Sequence, residues 1–201
     1  MNLSKPASLG IIACPGGEHF AKEIICQLKY LNKKKINRKA SNLAEQYGMS
    51  KKEMIKKLNF AVDLHSPRPL FTGPVDEYRI PKFEVPAHFT KFPNGEFKTE
   101  LLSSVRGMDL YIVQDVENHY PLSFNGSNEK HRLSVNDHVM TLFNTIDTAF
   151  QASATSVTVV LPAYPFARQH KKRGREGLSA SWFGRMLEFM GVCRIITVDI
   201  H

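Results

Sequence analysis

The chain has 201 residues, 42% of them hydrophobic, enough for one large or two small domains with an ordinary globular core. No apolar run is long enough to span a membrane as a helix, which excludes an integral helical membrane protein. The net charge of +8 suits an anionic partner, whether nucleotide, sugar phosphate or nucleic acid, and its sign alone does not choose among them.

Leu9–Cys14 (LGIIAC) is predicted as the first strand. Pro15-Gly16-Gly17 then turns the chain into a helix from about Glu18 to Leu31, whose apolar positions include Phe20, Ile24, Ile25, Leu28 and Leu31. Strand, glycine turn and helix make an α/β opening. A lone P-G-G is commonly just a chain reversal, so it is not taken as a phosphate loop. The residues ahead of it lack the apolar length and cleavage pattern of a secretory signal. Cys14, Cys26 and Cys193 form no C-x-x-C pair, so reduced thiols in a cytoplasmic protein are expected.

From 32 to about 89 the composition changes. Lys33, Lys34, Lys35, Arg38 and Lys39 form a basic run, and Ser50-x-x-Glu53 is a capping box for a short helix. Pro67, Pro69, Pro74, Pro81 and Pro86 mark an extended stretch, and His65 in VDLHSP stands without a partner cluster. With few aromatics among the lysines, the run reads as solvated surface, and nucleic acid is not the expected partner.

Phe92–Glu96 (FPNGE) is a tight-turn signal ahead of a strand FKTELL. Val105-Arg106-Gly107 turns the chain into a strand over Asp109–Val116, and a polar surface loop runs from Glu117 to about Leu133. A helix opens at Val135-Asn136-Asp137, with Val139, Leu142, Phe143, Ile146, Ala149 and Phe150 forming a core stripe. Alternating strands and helices predict an α/β fold, a parallel sheet with helices on both faces.

The last forty residues concentrate the chemistry. A strand over Ser156–Leu161 is expected to end at Pro162, and the loop beyond it carries Arg168, Lys171, Lys172, Arg173 and Arg175, with Gly174 to let the backbone bend toward an anion. Ser179 suits an N-cap for a helix with Trp182, Phe183, Met186, Leu187 and Met190 at helical spacing, ended by Gly191. In the final strand, Arg194–Ile200, residues two apart share a face, so Asp199 and His201 point the same way. A carboxylate and an imidazole at one strand end, beside a cationic loop at another, suit a divalent metal carrying a polyphosphate.

This stretch, AYPFARQHKKRGREGLSASWFGRMLEFMGVCRIITVDIH, resembles the first half of ribose-phosphate pyrophosphokinase. There a Y-x-Y-A-R-Q-D segment leads through a basic loop and a helix to a strand ending in D-L-H. The family's F-x-D-G-E, R-G-x-D-x-[YF]-I-[VI]-Q and V-N-D segments are matched by FPNGE, RGMDLYIVQ and VND. The resemblance implies a type I phosphoribosyltransferase-like fold, ATP and ribose 5-phosphate as substrates, Mg²⁺ as cofactor and a homo-oligomer. It implies that Phe92, Asn94 and Glu96 meet the adenine of ATP, commonly in a neighbouring subunit's site. Arg168 and Gln169 would hold ATP, Lys171, Lys172 and Arg175 would steer its phosphates, and Asp199 and His201 would bind the metal. Asn94 and His170 stand where the family has aspartates.

On this reading residues 1–201 are an N-terminal ATP-binding domain with an insertion at about 32–89. The ribose-phosphate-binding C-terminal domain is absent, no catalytic residue is expected in this half, and the chain alone is expected to be inactive. A catalytically silent regulatory homologue is the second reading, and a basic nucleic-acid-binding module the third.

Overall fold

The computed structural model describes residues 8–57, 82–172 and 174–200. His65, Pro67, Pro69, Pro74, Pro81, Arg173 and His201 lie outside the described residues. The chain divides into two compact units, one built on residues 24–82 and the other on residues 7–23 and 83–201.

In chain order the first elements are β1 (Leu9–Ala13), α1 (Glu18–Tyr47), α2 (Lys51–Lys57), β2 (Ala87–Lys91), β3 (Phe97–Leu101) and β4 (Asp109–Val113). They are followed by β5 (Leu122–Ser123), β6 (Lys130–His131), α3 (Val135–Gln151), β7 (Ser156–Ala163), α4 (Ser179–Phe189) and β8 (Arg194–Asp199).

The larger unit is organised on a four-stranded sheet in the order β1-β4-β7-β8, with every neighbouring pair parallel. Parallel strands need covering on both faces, and β7 suits that burial with four consecutive β-branched residues, Val157 to Val160. Ile12, Ile112, Val159 and Ile195 share one face and meet Val139, Leu142 and Ile146 of α3 and Phe183 and Leu187 of α4. Ile11, Val113, Thr158 and Val160 point to the opposite face and are buried there as well. Toward the β8 edge that second face opens, and Ile196 and Val198 are exposed. At the other edge, residues 83–85 bracket β1, the Ile11 amide donating to the Phe83 carbonyl at 2.6 Å and the Val85 amide to the Ile11 carbonyl at 2.9 Å.

The FPNGE turn closes a hairpin of β2 and β3, as its Pro-Asn-Gly core predicts. Gly95 adopts φ +93°, which a residue with a side chain rarely takes. The 117–133 loop, expected to be surface, contains the short β5–β6 ribbon. α3 starts as its sequence predicts, with Ser134 and Asp137 completing a reciprocal capping box.

Two expectations need correction. α1 does not stop near Leu31 but runs on to Tyr47, because no proline or glycine intervenes before Gly48, whose φ of +62° ends it. β7 continues through Pro162 to Ala163. Proline is tolerated there because β4 pairs only as far as Val113 with Val160, so the donor that Pro162 lacks has no strand to serve.

In the smaller unit, Ala40, Leu43 and Ala44 of α1 pack with Met54 of α2, and the predicted Ser50–Glu53 capping box is present. Among the described residues no helix is long and apolar enough to cross a membrane.

Candidate functional site

Because β7 and β8 are parallel neighbours, their C-terminal ends come out side by side, with Ala163 in register with Asp199. The Tyr164 amide donates to the Asp199 carbonyl at 3.0 Å, which ties the loop after β7 to the end of β8. The loop is then held by its aromatic side chains. Tyr164 and Phe166 each meet the buried ring of Phe183 edge-on, at 5.4 and 6.2 Å between centroids, and Phe143 of α3 stacks on Phe183 at 5.9 Å. The Tyr164 hydroxyl donates to the Ala180 carbonyl at 3.0 Å, and partial burial raises its pKa, keeping it a donor.

Phe166 has φ +58°, in the left-handed region that a bulky residue rarely adopts. The Gln169 amide closes the turn by donating to the Phe166 carbonyl at 2.8 Å. Strain of this kind persists only where surrounding contacts enforce it, and here it aims Ala167, Arg168 and Gln169 into a cleft. The cleft has a volume of about 250 Å³ and is lined by Tyr164, Phe166, Arg168, Gln169, Asp199 and Glu117, among others.

The structure therefore brings together three of the residues singled out from sequence, Arg168, Gln169 and Asp199. Lys171, Lys172 and Arg175 lie on the exposed loop beyond it and do not line the cleft, and Gly174, at φ +78°, bends that loop. Glu117, Tyr164 and Phe166 were not foreseen as lining residues. Glu117 comes from what reads as a featureless polar loop, so its place in the same cleft as Asp199 has no signal in the sequence.

Ser179 is not the N-cap of α4. Leu178 occupies that position without a side-chain cap, its carbonyl accepting from the Trp182 amide at 2.9 Å. The missing side-chain acceptor is partly replaced by the cleft loop, since the Ala180 amide donates to the Gln169 carbonyl at 3.4 Å.

The β2–β3 turn lies at a different place. Asn94, Gly95 and Glu96 line a second hollow of about 510 Å³ together with Asp137, Met140 and Asn144 of α3, while Phe92 is exposed and does not line it. The Asn94 side-chain oxygen accepts from the Glu96 amide at 3.1 Å, so it braces the turn itself. Asn144 anchors the hairpin by donating to the Phe97 carbonyl at 2.8 Å.

Among the described residues no group of three or more histidine, cysteine or acidic side chains could hold a metal. Mg²⁺ keeps several waters and is bound through one or two carboxylates plus substrate phosphates. Asp199 and Glu117, both in the cleft, are of the required oxygen-donor kind.

The sequence pattern described as the N-terminal domain of ribose phosphate pyrophosphokinase matches residues 76–191, more than half of the chain. Ribose-phosphate pyrophosphokinase of Bacillus subtilis (strain 168) is 34% identical over 113 residues, 56% of this chain and 31% of that protein. The protein of the same name from Oceanobacillus iheyensis is 37% identical over 113 residues, again 56% of this chain and 31% of the relative. The aligned part thus spans about a third of the length of these relatives. In three dimensions the chain is similar to the crystal structure of phosphoribosylpyrophosphate synthetase from Mycobacterium smegmatis, with a TM-score of 0.56 and 22% identity, over 96% of this chain and 43% of that one. The pattern covers more than half of the chain, and the chain belongs to the ribose-phosphate pyrophosphokinase family through its N-terminal domain.

Proposed function

We propose that this chain is the ATP- and magnesium-binding half of a ribose-phosphate pyrophosphokinase. The observation that carries the proposal is the convergence of Arg168, Gln169 and Asp199 on one cleft at the C-terminal ends of β7 and β8, where open parallel sheets hold their ligands. In the reaction, the 1-hydroxyl oxygen of ribose 5-phosphate attacks the β-phosphorus of ATP. The bond from that phosphorus to the oxygen bridging to the α-phosphate breaks, the hydroxyl proton is lost, and AMP leaves with phosphoribosyl pyrophosphate as the other product. Such transfer depends chiefly on positioning and charge neutralisation.

Each residue has a share of that task. Arg168 grips phosphate oxygens with a planar, permanently charged fork, and Gln169 adds neutral hydrogen bonds. Tyr164 and Phe166 hold the loop so that the fork faces the cleft. Lys171, Lys172 and Arg175, outside the cleft, raise the local concentration of an anionic ligand before it docks. Asp199, with His201 following it in sequence, would hold Mg²⁺, which when bound offsets phosphate charge. The separate hollow at Asn94 and Glu96 suits a turn that serves a neighbouring copy's adenine, so a homo-oligomer is part of the proposal.

The test joins this chain, after His201, to the C-terminal half of the Bacillus subtilis relative and assays AMP and phosphoribosyl pyrophosphate. Product formation that Arg168→Ala abolishes supports the synthetase. A fusion that binds Mg-ATP yet forms no product supports the silent regulatory homologue instead.

A further inference from the structure

The net charge of the chain is not spread over it. Residues 24–57 hold ten lysines and arginines against two acids, Glu45 and Glu53, a net +8 equal to that of the whole chain, so the remainder is neutral. These residues, the greater part of α1 and all of α2, belong to the smaller unit and lie outside the residues that match the family pattern. The excess of charge therefore lies, in sequence, outside the cleft loop.

The arrangement of that charge is ordered. Residues 24–44 contain no acid, and along α1 Tyr30, Lys34 and Arg38 follow one another at intervals of four, as do Leu31, Lys35 and Lys39. Residues four apart on a helix are neighbours, so Lys34 with Arg38 and Lys35 with Lys39 form two adjacent like-charge pairs. Lys29 to Lys39 span roughly 15 Å along the helix axis at about 1.5 Å per residue. On α2, Lys52 and Lys56 are exposed as well, on the side away from buried Met54.

Lipid and nucleic acid both present phosphate, but the apolar residues favour nucleic acid. A helix that lies in a membrane surface offers an apolar face to the lipid. Here Ile36, Ala40, Leu43 and Ala44 are buried inside the unit, and the exposed side offers cations with only Tyr30, 59% exposed, and Leu31, 48% exposed, at one end, too little for an apolar face. It is the cations, not aromatic stacking, that suit a sugar-phosphate backbone, against the expectation of a merely solvated surface that the sparse aromatics raised.

We propose that the basic helical pair of residues 24–57 is a docking surface for nucleic acid, read through its phosphates and independent of base sequence. The test is fluorescence anisotropy of the full chain with labelled single-stranded RNAs of two unrelated sequences. Both bind alike, and with four phosphates contacted the affinity falls about fiftyfold between about 50 and 200 mM salt. The double variant Lys34→Glu/Arg38→Glu loses at least tenfold in affinity and keeps Mg-ATP binding. The neutral pair Lys34→Gln/Arg38→Gln falls in between, which guards against misfolding, and Arg168→Ala leaves RNA binding intact. Several results overturn the proposal. One is no binding at about 50 mM salt, and another is unchanged binding by the double variants. Loss of binding with Arg168→Ala assigns the RNA to the cleft loop, and equal, mutation-sensitive binding to phosphatidylserine vesicles assigns the surface to lipid.

Discussion

Tyr164 donates its backbone amide to the carbonyl of Asp199 at 3.0 Å, and that bond fixes the cleft loop against the strand end that carries the candidate metal carboxylate. Cation and carboxylate thus enter one cleft from two strands. Arg168→Ala is expected to weaken Mg-ATP binding by about tenfold to a hundredfold, the loss of one charged hydrogen-bonding group. Gln169→Ala costs less, since its side chain is neutral. Equilibrium titration of each variant checks the order.

Gly17 sits at the turn from β1 into α1, where an added Cβ would stand 2.6 Å from the Val113 carbonyl oxygen. Backbone cannot yield as a side chain does, so Gly17→Ala is expected to destabilise the fold by about 1–3 kcal/mol or more. Gly177→Ala, in open space, should stay within about 0.5 kcal/mol of the parent. Urea midpoints of the two variants make the comparison.

His138 on α3 is fully buried, and its ring connects two segments that follow β4. Nε2 donates to the Asn118 carbonyl at 3.2 Å, which leaves Nδ1 to accept from the Gln114 side-chain amide at 3.0 Å. The same amide reaches the Pro15 carbonyl at 2.9 Å, so one network joins the ends of β1 and β4 to α3. His138→Ala removes both bonds and leaves a cavity, and a loss of about 2–4 kcal/mol is expected by chemical denaturation.

Cys14 is buried beside Thr145, and desolvation pushes its thiol up to about 12 from 9.0, outweighing the hydrogen bond to Thr145 that lowers it. The folded state therefore holds this proton more tightly than the unfolded one. The associated stability is complete below pH 9 and is lost progressively between pH 9 and about 12. Denaturation at pH 8 and pH 10.5 should show a larger decline for the parent than for Cys14→Ala. In native protein at pH 8, Cys26 and Cys193, both exposed, should react with a thiol reagent while Cys14 does not.

The fold was legible where local signals and tertiary packing agree. β7 and β8 announce themselves by β-branched runs, and α3 by its apolar stripe. Legibility failed where a signal depended on partners remote in sequence. Pro162 reads as a strand breaker until β4 is seen to end short of it, and Ser179 reads as a cap until Gln169 is found serving the start of α4. At the cleft, Arg168, Gln169 and Asp199 follow from charge, strand ends and resemblance. Phe166 was not legible, because its left-handed backbone comes from packing on Phe183, a contact that spacing does not encode.

Calorimetric titration of ATP into this chain, with and without Mg²⁺, tests the central claim most directly. Saturable binding that strengthens with Mg²⁺, and loses that strengthening in Asp199→Asn while Arg168→Ala weakens binding with or without the metal, is the predicted result. Binding that is absent, or indifferent to Mg²⁺ and to both substitutions, would contradict the assignment of this cleft to Mg-ATP.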